Sequence, residues 1–498
     1  MGRFRQATLL ALLTLMWVVT LSASPALAST STHHQKKPTA HRVGGRVHRA
    51  WPRSGGRPPR SALARWLARQ IGPTKVRPCT KRVHGKTIEC HRKRAPRNGV
   101  PLSGGQLGGS KPHADIASIG AMGLGQDTNP IAYAASGSTS TPTTSTGTSN
   151  LQLDRSYQIP TDDPSYTRLL NWSWTYDSAI AALGLTTFGS PSIGEEILDQ
   201  LAALQHTDGS IEIAFNVADG TTESVFRSGT IATMGLAGSV YDQSQHTSRY
   251  LAMEQRAASY LISLQGTNGL IRGGPDVGWY STQHNLLAYA FLNQLGAELI
   301  ADNQRPTANG YLNAANKISA GIESKLLVHN GSQAWFIEGL NDHVQSLDAD
   351  ALGVLYLVSK NETTVAQEVL SYTQSAFALS GRSITKSTNM ATYNNTYAAA
   401  GPFSGFKPFI GTNAPEVLWT EGSAEMELAH AALGQPTSSL NASLLSIYAL
   451  TPTVAPLMAD RTLTDPNYSA EFHVWPADAA GAWFLLAQKR PTLFPKVS

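Results

Sequence analysis

Two stretches of the chain bring carboxyl groups and aromatic rings together. Residues 335–350, WFIEGLNDHVQSLDAD, set Glu338, Asp342, Asp348 and Asp350 beside Trp335 and Phe336. Residues 273–292, GGPDVGWYSTQHNLLAYAFL, pass from a Gly- and Pro-bent loop into an apolar helix and carry Asp276, Trp279, Tyr280, Gln283 and His284. Hydrolysis of a glycosidic bond needs one protonated and one ionised carboxyl group flanking it. Indole rings suit the apolar faces of sugars, and polar groups take the hydroxyls. On this reading Glu338, whose aromatic neighbours predict a raised pKa, is the acid and Asp276 the base. Asp342 and Glu421 are the alternates. Asp177, Arg227, Trp279, Tyr280, Gln283, His284, Trp335, Trp419 and Trp475 are expected to contact substrate.

Plainer roles compete at several positions. Asp177, Asp348 and Asp350 have the chemistry of helix caps or buried partners, and Glu421 that of a charge complementing a helix dipole. His284, His343 and Asp342 lack the spacing of a metal motif, so no metal and no cofactor are expected. No G-x-S-x-G elbow occurs. The Gly-rich pieces GGQLGG and IRGGPD lack the setting of a phosphate loop, which argues against nucleotide binding.

The elements that must position these residues repeat. The loops LQHTDGSI (204–211) and LQGTNGLI (264–271) lie 60 residues apart. Each follows an amphipathic helix (residues 194–204 and 249–264) and turns on Asp-Gly or Asn-Gly. Six helices rich in small and apolar residues follow aromatic and polar lead-in segments marked by Tyr176, Phe226, Trp279, Leu347, Trp419 and Trp475, at steps of 50, 53, 68, 72 and 56 residues. Between them, residues 309–327, 362–379 and 437–449 have one polar face. Buried helices alternating with outer ones predict an all-α (α/α)6 toroid of six helical hairpins over residues 151–498. The sixth outer helix is not evident: either residues 162–170 supply it or the ring is incomplete. In such a ring the six lead-ins emerge at one end.

Residues 1–28 read as a secretory signal, with Arg3 and Arg5, an apolar run and an Ala-Leu-Ala cleavage site, so secretion to the exterior or cell surface is expected. Residues 29–102 hold 19 basic residues against the single acid Glu89, whereas the chain beyond them has 18 basic and 33 acidic residues. The net charge of +5 therefore conceals a basic arm and an acidic domain. The arm is too poor in aliphatic residues to bury a core and is expected to be mostly disordered, with a short amphipathic helix over residues 61–71 as an exception. It suits an anionic cell-wall polymer or membrane surface, while nucleic acid is the less favoured partner. Residues 103–150 read as a Gly/Ser/Thr-rich linker. Cys79 and Cys90 predict a disulfide in an exported chain, with free thiols or a zinc site as the other readings.

The segments LQHTDGSI, RSGTIATMGLA, GPDVGWYSTQHN, VLWTEGSAEMELA and FHVWPADAAGAWFLLA resemble those of secreted bacterial proteins of the six-hairpin glycosidase-like superfamily. The resemblance implies an (α/α)6 toroid whose cleft processes polysaccharide through an acid and a base carboxylate. Similar sequences carry Glu in the segment matching STQHN, where this chain has Gln283, which cannot ionise. Two other functions stay open: a noncatalytic glycan-binding toroid, and a polysaccharide lyase using Tyr280 or His284 as base.

Overall fold

The computed structural model describes residues 59–74, 80–83, 86–89, 150–161, 163, 165–342, 344–384, 400–411, 414–451, 453–465 and 470–495. Twelve helices of ten or more residues organise the described chain. They are α1 Pro59–Ala68, α2 Thr175–Phe188, α3 Pro191–Leu204, α4 Ser228–Gln245, α5 Leu251–Ser263, α6 Thr282–Ala301, α7 Arg305–Lys325, α8 Leu347–Ser359, α9 Thr363–Phe377, α10 Thr420–Ala432, α11 Ser438–Tyr448 and α12 Asp478–Lys489. The even-numbered helices are buried on nearly every face, as their small and apolar composition requires, and the odd-numbered ones keep a polar face outward. Successive even helices pack side by side, and α12 packs on α2, closing the ring. The fold is the (α/α)6 toroid, and small residues let its inner helices approach. A Cβ at Gly184 on α2 would stand 3.0 Å from the Ala482 carbonyl oxygen of α12.

The sixth outer helix comes from the basic arm. Residues 162–170 contribute only the four-residue helical turn Tyr166–Leu169, whereas α1 packs on α12 and α2 and completes the outer layer. Leu63, Trp66 and Leu67, at helical spacing, are buried in the common core. Full burial of a large apolar side chain is worth about 1.5–3 kcal/mol, so α1 contributes several kcal/mol. Its C-terminal end is held as firmly as its face. The Arg155 guanidinium donates to the carbonyl oxygens of Gln70 (3.1 Å), Gly72 (3.1 Å) and Arg69 (3.2 Å), supplying partners for groups at a helix end that have none of their own. Packed structure therefore begins before Leu151, the boundary that linker composition suggested. The expected Cys79–Cys90 disulfide falls on residues outside the described set. An antiparallel hairpin pairs residues 80–83 with 86–89 between the two cysteines.

Short ribbons occupy the lead-ins. Trp172–Trp174 pairs with Ala214–Asn216, Leu327–Asn330 with Gln333–Phe336, and Gln345–Ser346 with Phe409–Ile410. Among the described residues no helix is long and apolar enough to cross a membrane.

Candidate functional site

The six lead-ins are joined by a repeated backbone hydrogen bond. The first residue of each inner helix donates its N–H to a carbonyl in the lead-in of the next: Thr175 to Ile213 (2.8 Å), Ser228 to Gly273 (2.9 Å), Thr282 to Glu338 (2.8 Å), Leu347 to Pro408 (2.9 Å), Thr420 to Met458 (3.0 Å) and, closing the circle, Asp478 to Ser156 (3.0 Å). The first amides of a helix have no partner within it and ordinarily take a Ser, Thr, Asp or Asn side chain. Here the capping residues are Trp174, Arg227, Ser281, Ser346, Trp419 and Ala477, all extended with ψ between 115° and 143°. Only Ser281 accepts through its side chain; the neighbouring backbone serves instead. The second helical residues are consequently equivalent around the ring: Tyr176, Gly229, Gln283, Asp348, Glu421 and Ala479.

On the α4–α6 side the charges are paired. Arg227 Nη1 donates to Asp276 Oδ1 at 2.8 Å and to the Phe226 carbonyl at 2.8 Å. The Arg227 side chain is buried (6% exposed), whereas that of Asp276 reaches solvent at 35%. The guanidinium lies 5.8 Å from the Trp279 ring centroid, and Trp279 meets His284 edge-on at 5.3 Å. His284 Nδ1 is 2.9 Å from the Ser228 hydroxyl, which fixes the ring. The Gly273–Gly274 pair permits this arrangement. A Cβ on Gly273 would collide with the Trp279 ring, and one on Gly274 would come within 3.0 Å of both Arg227 Nη1 and Asp276 Oδ1.

The α2, α8, α10 and α12 side is different in kind. Asp177, Asp348, Glu421, Glu425 and Asp478 are all buried there. Burial pushes the carboxyls of Asp177, Glu421, Glu425 and Asp478 well above their ordinary range, and neighbouring acids add to the rise. Asp348 is pushed up to about 6, again by burial, with hydrogen bonds opposing the shift. Glu421 Oε1 accepts from the Tyr176 hydroxyl at 3.2 Å, which itself accepts from Trp483 Nε1 at 2.9 Å. Neither oxygen of Glu425 has a donor among the described residues. Burial without a donor favours the neutral form of such a carboxyl group.

The other expected site residues distribute unevenly. Glu338 is buried where the fourth lead-in meets α6, its carbonyl accepting from Thr282 and its N–H donating to Val344. Asp342 follows on the same loop, where Oδ1 accepts the Val344 N–H at 2.9 Å; His343 lies outside the described residues. Tyr280 is half-buried, and its carbonyl accepts from Leu340. Trp335 stacks on Tyr372 of the outer helix α9 at 4.9 Å. Trp419 and Trp475 are core residues: the ring of Trp419 covers Gly422, while Trp475 Nε1 donates to Asp163 Oδ2 at 3.2 Å and its ring stacks on His473 at 3.5 Å. Neither offers a face to a sugar in this conformation, which corrects their expected role. Asp350 is a structural pin, accepting the Phe336 N–H at 2.7 Å and the Thr373 hydroxyl at 2.9 Å. Gln283 is 1% exposed, and neither amide atom has a partner among the described residues. Sequence reasoning missed Glu425, although its spacing four residues beyond Glu421 puts both on one helix face. It also missed Tyr176 as the donor to Glu421.

No family model matches the chain, and no curated protein matches it in sequence. Solved structures do. One described as a wild-type glycosidase is 14% identical, with a TM-score of 0.51, over 67% of this chain and 91% of its own. A bacterial glucoamylase complexed with acarbose is 12% identical, with a TM-score of 0.48, over 65% of this chain and 50% of its own. A metal-independent alpha-mannosidase from Streptococcus pneumoniae is 11% identical, with a TM-score of 0.41, over 64% of this chain and 86% of its own. At 14% identity the likeness to the first of these is one of fold, that of a helical toroid.

Proposed function

We propose that the protein is an exported glycoside hydrolase that cleaves a glycan at the lead-in end of the toroid, with Asp276 as the ionised carboxylate and Glu421 as the proton donor. The observation that carries this reading is the opposed setting of the two groups within one ring of lead-ins: Asp276 is half-exposed and ion-paired with Arg227, and Glu421 is buried with its proton favoured. Acid–base cleavage of an acetal requires one carboxyl that gives a proton and one that acts as base, and these settings suit Glu421 to the first role and Asp276 to the second. Trp279 and Tyr280, half-buried beside Asp276, are the rings placed to meet a sugar. Glu338, buried at the adjoining lead-in, is the second choice for the acid. The test is sugar release from a panel of neutral oligosaccharides by the full-length protein. Asp276→Asn and Glu421→Gln should each lower kcat about 1,000-fold, and a panel giving no release overturns the proposal.

A second reading, a noncatalytic glycan-binding toroid, is favoured by Gln283, a buried non-ionising residue at the ring position equivalent to Asp348 and Glu421. Retention of an oligosaccharide without release of sugar would select it. The pairing of Arg227 with Asp276 disfavours a lyase, which would want that guanidinium for a uronate carboxylate. The basic residues of 29–102 support attachment to an anionic surface. Deleting residues 29–58 should then lower the salt needed to elute the protein from a sulfonated polymer.

A further inference from the structure

A second group of carboxyls lies away from the lead-ins, toward the C-terminal ends of α4 and α6. Asp242 on α4, Glu254 on α5 and Glu298 on α6 each offer an oxygen, and these oxygens all lie within 4.8 Å of one another. The three residues are 1%, 0% and 6% exposed, so solvent does not relieve their proximity. Among the described residues none of them forms an ion pair. Arg249 is the cation whose field reaches Asp242, but it is engaged by Asp199 at 2.7 Å and Glu195 at 3.4 Å. Asp302 adds further negative charge near Glu298.

Hydrogen bonding uses only part of the cluster. Asp242 Oδ2 accepts the Tyr250 N–H at 2.7 Å, and Glu254 Oε2 accepts the Ser239 hydroxyl at 2.9 Å. Asp242 Oδ1, Glu254 Oε1 and both oxygens of Glu298 have no donor among the described residues. Glu298 is therefore a buried side chain aimed at two other carboxyls, and the one partner that the described residues offer it is a proton held by Glu254. Asp242 and Glu298 lie in the last turns of α4 and α6, where the helix end carries partial negative charge and favours a cation, whereas Glu254 lies in the first turn of α5, whose end favours a carboxylate. With no cation counted, burial pushes Asp242 to about 6 and Glu298 to about 7 and raises Glu254 well above its ordinary range, and neighbouring carboxylates add to the rise at Glu298 and Glu254.

We propose that Asp242, Glu254 and Glu298 bind a divalent cation of the calcium class that fastens α4, α5 and α6 together. An all-oxygen carboxylate set selects hard cations. Calcium–oxygen distances of about 2.3–2.6 Å place the oxygens around one ion within about 5 Å of each other, which the cluster already satisfies. The site is structural and lies apart from the residues assigned to glycan cleavage, so its test does not depend on that activity. Full-length protein stripped with EDTA is titrated with CaCl2 at pH 8 by calorimetry, with MgCl2 and MnCl2 in parallel, and Tm is measured at each end point. One calcium per chain is expected, with a Tm rise of about 5 °C at saturating ion. The D242N/E298Q double variant should lose both the heat and the Tm response. Should that variant not fold, the wild-type titration decides. No binding heat and no Tm change with any of the three ions overturns the proposal, as does undiminished binding in a folded double variant.

Discussion

The two sides of the lead-in ring solve the problem of burying charge in opposite ways. Between α4 and α6, Asp276 is paired with Arg227 at 2.8 Å, and part of its carboxylate reaches solvent. Around α2, α8, α10 and α12, five acids are buried, and the low dielectric favours their neutral forms. Both sides share one backbone frame, so the difference belongs to side chains alone. One side meets its carboxylate with a guanidinium and water, the other encloses its carboxyls.

Removing α1 should disturb this comparison most, since α1 covers α12 and α2 behind the acid side. Deleting residues 1–71 exposes the core contacts of Leu63, Trp66 and Leu67 and takes away the Arg69 and Gln70 carbonyl partners of Arg155. The expected result is loss of cooperative thermal unfolding, whereas deleting residues 1–58 should leave Tm unchanged. Equal Tm values for the two truncations would show that α1 is dispensable. Next in size is the catalytic contrast. If the sides divide the labour as proposed, Glu421→Gln should remove the alkaline limb of the kcat profile along with about 1,000-fold of rate, and Asp276→Asn the acid limb. A loss confined to Glu338→Gln would move the acid to the α6–α8 junction.

Stability should follow pH with a defined sign. A carboxyl whose folded pKa lies above its unfolded value contributes stability that is full below the unfolded pKa and is lost as pH rises through the folded pKa. For Asp348 that window runs from about 4 to about 6, and the more strongly raised acids extend it upward. Tm should therefore fall between pH 5 and pH 8, and Glu425→Gln should flatten the decline. Gln283→Glu, adding an acid at an equivalent ring position, should steepen it and leave Tm at pH 4 nearly unchanged. The smallest effect is expected at Ser228→Ala on the paired side, where the 2.9 Å contact to His284 is lost. A cost of about 1 kcal/mol, measured by urea denaturation, fits a single hydrogen bond.

The repeated loops were legible in the sequence because their Gln, Asp or Asn, and Gly each have a structural task. In the first copy Gly209 turns with φ 94°, Asp208 accepts the Ser210 N–H at 3.0 Å, and Gln205 Nε2 donates to the carbonyls of Gly209 and Met253 at 3.1 Å. In the second, Gly269 turns with φ 87°, Asn268 accepts from Leu270 at 3.0 Å, and Gln265 Nε2 reaches Gly269 at 2.8 Å and Ala314 at 3.0 Å. Each copy thus ties one outer helix to the next, and the toroid followed from reading them. The helical spacing of Leu63, Trp66 and Leu67 was equally readable, but its partner was not. More than 400 residues separate Leu63 from Gly481, whose missing side chain lets Leu63 in, and basic composition on either side pointed toward disorder. The site was the least legible part. Its register depends on where the inner helices start, and four of the six starts are capped by Trp174, Arg227, Trp419 and Ala477, residues with no capping chemistry of their own. Trp419 and Trp475 looked like sugar platforms for the same reason: an aromatic lead-in residue has the same letter whether its ring lines a cleft or seals the core.

The ring of six main-chain hydrogen bonds also bears on how such a protein can change. Each bond joins an amide to a carbonyl and requires no particular side chain on either residue. The second helical positions, which now hold Tyr176, Gly229, Gln283, Asp348, Glu421 and Ala479, are therefore freed from keeping the scaffold's register. Chemistry can be rewritten there one residue at a time, with each new group delivered to the same end of the barrel by a frame that does not register the exchange.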